Sequence, residues 1–226
     1  MADRGTHILA GIAIAVTVLV LAGPGSPLAS AVKQWRDEGR KQAAVARNWD
    51  LFEKIGHRLD PFHLEAQPQG GTVIEFADYE CPYCRAVDTI LSSWLTSNPG
   101  VRLVYVDFPI PGHSHATDAA RAAECADRQG KFREMHGQLM SSSRWLSDAN
   151  WIREAVAAGV VDTVQFRLCE TDSATIGRVR AATQLGQEIG VQATPTFIGK
   201  SGRQVGVVTV RDLQRLAGSE ARAHVP

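Results

Sequence analysis

The sequence predicts an α/β fold in which a βαβ unit, a long all-helical insertion and a ββα unit follow one another around a central mixed sheet. Three observations carry this. Two apolar, β-branched runs, "TVIEFA" at 72–77 and "VRLVYVDFPI" at 101–110, bracket a segment of helical spacing. From 114 to about 190 every stretch has helical periodicity. Last, "VQATPTFIGKSGRQVGVVTV" reads as strand, turn and strand, followed by the short helix "VRDLQRLAG".

The elements are taken in chain order. Residues 5–32 carry no Asp, Glu, Lys or Arg. The dense apolar part, 8–22, would be about 22 Å long as a helix, short of a hydrocarbon core of roughly 30 Å. Residues 1–31 therefore read as a signal peptide or membrane anchor, with Ala29-Ser30-Ala31 as a cleavage site if it is removed. The reading leans to the anchor, and either one exports the rest. Lys33, Arg36, Arg40 and Lys41 come after the apolar run. The positive-inside rule alone would keep the remainder of the chain in the cytoplasm, and the cysteine pattern is given more weight. Residues 32–69 are charged, with Trp35, Val45, Trp49, Phe52 and Ile55 at loose helical spacing, and read as a helical stalk or linker closed by "QPQGG".

The first strand covers 72–77, and the helix after it starts at the CPYC segment and runs to Ser97, packing Val87, Ile90, Leu91, Trp94 and Leu95. "NPG" stops it. The second strand is apolar enough to be buried on both faces in a parallel pairing. The insertion, 113–189, supplies two helices with a break near Gly130 and a third over "SDANWIREAVAAG" with Ser147 as its N-cap; "DTVQFRLCETD" and "SATIGRVRAATQLGQEIG" come next. Trp145 and Trp151 are read as core, and His113 and His115 as shaping the loop into the insertion. The α/β core around the insertion comprises 70–112 and 190–226.

A chain of 226 residues, 44% hydrophobic and 21% charged, can bury a real core. Basic and acidic residues number 24 each, and no basic patch is interleaved with aromatics, so nothing calls for a nucleic-acid partner. There are no internal repeats. Nor is there a dimerisation segment, so a monomer is expected.

The four cysteines form one close pair, Cys81 and Cys84, and two singles, Cys125 and Cys169. In an oxidising compartment this count reads as two disulfides. The close pair has three readings: a redox couple, half of a zinc site, or a structural pair. Zinc needs two further ligands, and no Cys or His elsewhere has the spacing to supply them. The redox reading has a physical basis. The first turn of a helix offers unpaired N–H groups and the positive end of the dipole, which favour a thiolate. Cys81 sits at that turn, Pro82 suits the first helical position, and Cys84 lies one turn deeper. Cys81 is then the nucleophile and Cys84 the resolving thiol.

Two more features bear on the pair. Glu75 interrupts an otherwise apolar strand six residues before Cys81; pointing under the helix, it would exchange a proton with Cys84, and the alternative is a solvent-facing position on an edge. Thr194-Pro195 precedes the strand "TFIGK". A cis bond there would present the Thr194 backbone beside Cys81 for an added client strand, whereas a trans bond is the ordinary expectation for any single X-Pro.

"IEFADYECPYC", "AAECADRQGKFREMHGQLM" and "GVQATPTFIG" together resemble the DsbA-like thiol:disulfide oxidoreductases of the thioredoxin superfamily, over roughly residues 70–218. The resemblance implies a thioredoxin-like fold with a helical insertion. It also implies Cys81 as exposed nucleophile, Cys84 as resolver, Pro195 as cis-proline and Glu75 as buried acid. Pro82 and Tyr83, with Thr194 and Pro195, fall where substrate is bound. The strongly oxidising members carry Pro-His between the cysteines. Pro82-Tyr83 here departs from that, lacks the imidazole that helps hold a thiolate, and predicts a less oxidising couple.

Cys125 and Cys169, on two helices of the insertion, are expected to form a structural disulfide, for which the chain-entropy model gives about 4 kcal/mol; two independent buried thiols are the alternative. The expected function is an exported, membrane-tethered oxidoreductase that passes the Cys81–Cys84 disulfide to folding proteins with free thiols. A membrane quinone-linked thiol oxidase would recharge it, and no cofactor or metal beyond the disulfide itself is called for. A reductase or isomerase kept reduced by a membrane donor, and a tethered chaperone without redox turnover, are the alternatives.

Overall fold

The computed structural model describes residues 26–47 and 71–218. The apolar segment 8–22 and the greater part of the expected stalk lie outside these residues. Helix α1, Pro27–Arg47, runs straight through the expected boundary at 31/32 and through Ala29-Ser30-Ala31. Ser26 starts it, its hydroxyl accepting from the Ala29 N–H at 3.0 Å. Among the described residues no helix is long and apolar enough to cross a membrane.

From residue 71 the chain builds the sheet. β1 (Thr72–Ala77) pairs in parallel with β2 (Arg102–Asp107), and the two are joined by α2 (Pro82–Ser97). After the helical stretch, β3 (Thr196–Gly199) pairs antiparallel with β1 and with β4 (Gly202–Val205). The order is β2-β1-β3-β4. β1 is thus central and buried at every position, as its TVIEFA sequence requires. This is the expected thioredoxin-like arrangement, with a mixed sheet.

The insertion comprises α3 (Ala116–Asp127), α4 (Phe132–Ser141), α5 (Trp145–Asp148), α6 (Trp151–Ala157), α7 (Thr163–Glu170) and α8 (Ser173–Glu188). Gly130, at φ 66°, breaks the chain between α3 and α4 as expected. α3 buries Ala119, Ala120, Ala122, Ala123 and Ala126, small side chains that let several helices approach it closely. One expectation fails locally. Ser147 does not cap the third helix but lies inside the short α5; Asn150 caps α6, accepting from the Arg153 N–H at 3.0 Å. Asn150 stands immediately before the apolar run and has the shorter reach to it.

The two sheet faces have different covers. Ile74, Phe76, Val104, Val106, Phe108 and Ile198 pack with Ala182 and Val191, so α8, the last helix of the insertion, is a layer of the core. The other face joins Val73, Leu103 and Phe197 to Val87, Leu91 and Trp94 of α2 and to Leu213 and Leu216 of α9 (Val210–Ala217). Because side chains alternate along a strand, Glu75 shares the face of Val73 and Ala77, beneath α2. Cys125 of α3 and Cys169 of α7 are joined, with Cα atoms 5.6 Å apart.

Candidate active site

β1 ends at Ala77, and Asp78, Tyr79 and Glu80 turn the chain into α2. The Cys81 N–H donates to the Asp78 carbonyl at 3.1 Å, and Cys81 is the N-cap of α2 with Pro82 next. Both cysteines are free. Cys84 is wholly buried, whereas Cys81 keeps 5% exposure. The α2 positions 84, 87, 91 and 94 form the buried stripe, so Cys84 faces inward on the same stripe that holds the helix to the sheet.

The two thiols sit in opposing environments. The Cys84 thiol, donating to the Cys81 sulfur, is the largest influence on Cys81. Burial opposes it, and the Thr194 hydroxyl and the N–H groups of Cys84 and Tyr83 add to it, bringing the Cys81 pKa down to about 5. Burial, the same hydrogen bond and the charge of Glu75 push Cys84 far up, against the single N–H of Asp78 that donates to its sulfur at 3.5 Å. Cys81 is nearly buried rather than exposed as expected, because the Thr194-Pro195 loop packs against it. A low-pKa outer sulfur with a narrow opening and a protonated one behind it suit thiol–disulfide exchange.

Glu75 pairs with Tyr105 on one side and Phe197 on the other, in the middle of the sheet. Burial, and secondarily the charge of Asp88, raise its pKa well above the carboxylate range. The Thr194-Pro195 peptide is cis, and the Thr194 carbonyl oxygen lies 3.4 Å from Cys81 Sγ. The Gly206 N–H donates to the Pro195 carbonyl at 2.8 Å, fixing that loop to the end of β4. Tyr83 is 63% exposed beside the pair. The structure therefore brings Cys81, Cys84, Thr194 and Pro195 together, with Pro82 and Tyr83 on the first turn of α2 and Glu75 below. Cys125 and Cys169 belong to the insertion. Among the described residues no cluster of His, Cys, Asp or Glu is placed to hold a metal.

Three neighbours are not among the site residues expected from the sequence. Asp78, at the carboxyl end of β1, accepts from the Glu80 N–H at 2.7 Å, the Ile110 N–H at 2.8 Å and His113 Nδ1 at 2.7 Å. Arg85 donates to the carbonyls of Leu139 and Ser142, at 2.6 and 2.8 Å, and lies over the Trp145 ring, tying α2 to the end of α4. His136 of α4 bridges the Tyr79 hydroxyl at 3.2 Å and the Asp88 carboxylate at 3.1 Å. A polar residue directly after a buried strand is the one sequence signal for Asp78; the other two depend on long-range contacts.

Comparison with known proteins places these features. Residues 69–216 match the Thioredoxin_4 family, described as thioredoxin. A thioredoxin-like oxidoreductase from Silicibacter pomeroyi DSS-3 is 33% identical, covering 70% of this chain and 91% of its own, with a TM-score of 0.61. The thiol-disulfide exchange protein alpha-DsbA2 from Wolbachia pipientis, 18% identical, shares the fold over 80% of this chain and 97% of its own, with a TM-score of 0.64. The Na(+)/H(+) antiporter NhaA 3 of Salinispora tropica is 34% identical over 143 residues, 63% of this chain, and the chain spans only 22% of the antiporter's length. Sheet order, helical insertion and family match agree: the chain belongs to the Thioredoxin_4 family, with the thioredoxin-like fold.

Proposed function

We propose that the chain is an exported thiol:disulfide oxidoreductase that donates the Cys81–Cys84 disulfide to folding proteins bearing free thiols. The observation that carries this is the placement of the pair: Cys81 at the N-cap of α2, 3.4 Å from the Thr194 carbonyl next to cis-Pro195, with Cys84 wholly buried one turn deeper. In the oxidised state a client thiolate attacks Cys81 Sγ. A client–Cys81 bond forms, the Cys81–Cys84 bond breaks, and the departing Cys84 sulfur takes a proton supplied through Glu75. A second client thiolate then attacks the client sulfur of the mixed disulfide and expels Cys81 as a stable thiolate. The client gains a disulfide and the pair is left reduced.

The Thr194 backbone beside Cys81 supports strand-like docking of an extended client, and Tyr83 and Pro82 supply its rim. The Cys125–Cys169 disulfide supports an oxidising, extracytoplasmic setting. On this reading a monomer tethered by residues 1–31 would be recharged by a membrane quinone-linked thiol oxidase. Tyr83, a phenol in place of a cation, favours a second reading, a reductase or isomerase kept reduced by a membrane donor.

The test is oxidation of a reduced, unfolded substrate by the purified oxidised chain. Wild type restores substrate disulfides and Cys81→Ser does not; an active Cys81→Ser rejects the proposal. The redox state of the pair in intact cells then separates donor from reductase.

A further inference from the structure

Asp78 and His113 take no part in the exchange steps, yet three hydrogen-bond partners fix the Asp78 side chain beside the pair. The Asp78 side chain is wholly buried; its oxygens accept from the Glu80 and Ile110 N–H groups, and Oδ2 pairs with His113 Nδ1 at 2.7 Å. Two of the three partners come from the segment between β2 and α3, Ile110 N–H and His113 Nδ1. That segment is itself turned by the His113 N–H donating to the Ile110 carbonyl at 3.1 Å. The backbone of Asp78 meets both cysteines: its carbonyl accepts from the Cys81 N–H and its N–H donates to Cys84 Sγ.

A buried carboxylate so close to Cys81 works against a thiolate, because like charges raise each other's proton affinity. His113, with 29% of its side chain exposed, is the cation placed to cancel it. We propose that Asp78 and His113 are a charge-compensated positioning pair that sets how firmly Cys81 is held as a thiolate, His113 standing in for the cation that Tyr83 does not supply. Burial opposes a charge on His113. The hydrogen bond and charge of Asp78, with the charges of Glu80 and Cys81, outweigh it and raise the imidazole's pKa. Glu80 is held in turn by the His115 N–H at 2.7 Å. These are the charged groups that face His113 from the β1–α2 turn and from its own segment.

The proposal rests on Cys81 being the attacking thiolate, and the experiment separates the two. In the full-length chain with the active-site pair reduced, the pH midpoint of Cys81 alkylation and the equilibrium constant against glutathione are measured for four proteins. These are wild type, His113→Gln, Asp78→Asn and the double variant. Gln keeps a donor to Asp78 without the charge, and Asn keeps an acceptor without the anion. His113→Gln raises the midpoint by about half a unit to one unit, less than the 1–3 units of a charge in direct contact. It shifts the glutathione equilibrium about three- to tenfold toward the disulfide, a tenfold change corresponding to one unit. Asp78→Asn moves the midpoint the opposite way, and the double variant returns toward wild type. A His113→Gln midpoint equal to wild type overturns the proposal, as do single variants that shift in the same direction without compensating. If Asp78→Asn does not fold, His113→Gln alone still decides. A wild-type midpoint like that of free cysteine would instead refute Cys81 as the nucleophile.

Discussion

The depressed pKa of Cys81 commits the reduced protein to a specific dependence of stability on pH. An unperturbed thiol at 9.0 that falls to about 5 on folding binds fewer protons folded than unfolded throughout that window, so stability rises with pH across it. The sign follows the rule for a depressed acid: the contribution is complete above pH 9 and is lost as pH falls toward 5. At about 1.36 kcal/mol per unit, the four units set a ceiling of about 5 kcal/mol, of which about 2.7 is present at pH 7; solvent screening at the helix tip lowers both in the same proportion. Cys84 is raised on folding, so its unfolded thiol, at 9.0, is the form that ionises first as pH nears 9; it is present in both proteins and its contribution cancels in the difference. The assay is urea unfolding of reduced wild type and reduced Cys81→Ser at pH 4.5, 7 and 9. The same reductant is used for both, so that Glu75 and the Cys125–Cys169 bridge cancel in the difference. The wild-type advantage grows with pH, half of its full extent being reached at pH 7. A difference that stays constant from pH 4.5 to 9 would refute the claim that the end of α2 and the Cys84 thiol hold Cys81 as an anion.

Other perturbations have equally definite outcomes. Glu75→Gln slows opening of the oxidised Cys81–Cys84 pair by a test thiolate, the step that expels Cys84, by on the order of 10²-fold while leaving alkylation of reduced Cys81 unchanged, as rapid-quench trapping of the mixed disulfide will show. Since Glu75 is raised on folding, its charge opposes the folded state as pH rises above the ordinary carboxylate value of 4.5; Glu75→Gln is therefore more stable than wild type at pH 8 and nearly equal at pH 4, read by urea midpoints. Replacing Cys125 and Cys169 by Ala opens a loop whose ends are 44 residues apart and lowers stability by about 4 kcal/mol in the chain-entropy model, with active-site alkylation retained in the absence of denaturant. Two glycines of α8 separate packing from propensity. A Cβ at Gly186 would lie 2.5 Å from the Phe108 ring and 3.1 Å from Phe76, so Gly186→Ala destabilises by about 1–3 kcal/mol. Gly177 meets nothing within 4 Å, and Gly177→Ala stabilises by about 0.8–1 kcal/mol, both measured by thermal unfolding.

How much of the fold and site is legible in the sequence depends on how local each cause is. β1 and α2 can be read to the residue, because Thr72–Ala77 is apolar up to a turn and Pro82 marks the helix start. The hairpin of β3 and β4 and the helix α9 are equally plain, the latter closed by the Thr209–Asp212 capping box and Gly218. α5 does not register because four residues make too short a period, and with it the cap moves from Ser147 to Asn150. α8 reads as an amphipathic helix, but nothing local says that its Ala182 face covers the sheet. At the site, the cysteines announce themselves by spacing. Asp78 and His113 are 35 positions apart and meet only because the parallel pairing of β1 and β2 brings the two following loops together.

The asymmetry of the pair raises a chemical difficulty that the surroundings resolve. By leaving-group ability alone, an incoming thiolate would attack Cys84, since Cys81 at about pKa 5 departs far more readily than Cys84. Access forbids this: Cys84 has no exposed surface, with the Asp78 N–H against its sulfur, while Cys81, beside Thr194, keeps a 5% opening to solvent. Attack is thereby confined to the sulfur whose departing partner is the poorer leaving group. A high-pKa leaving sulfur departs well only if a proton reaches it as the bond breaks. Glu75, on the sheet face beneath α2 and with its proton affinity raised by burial, is the group able to deliver one. The buried acid is therefore a requirement imposed by the low pKa of Cys81: the more firmly the outer sulfur is held as an anion, the more the inner one depends on a proton from below.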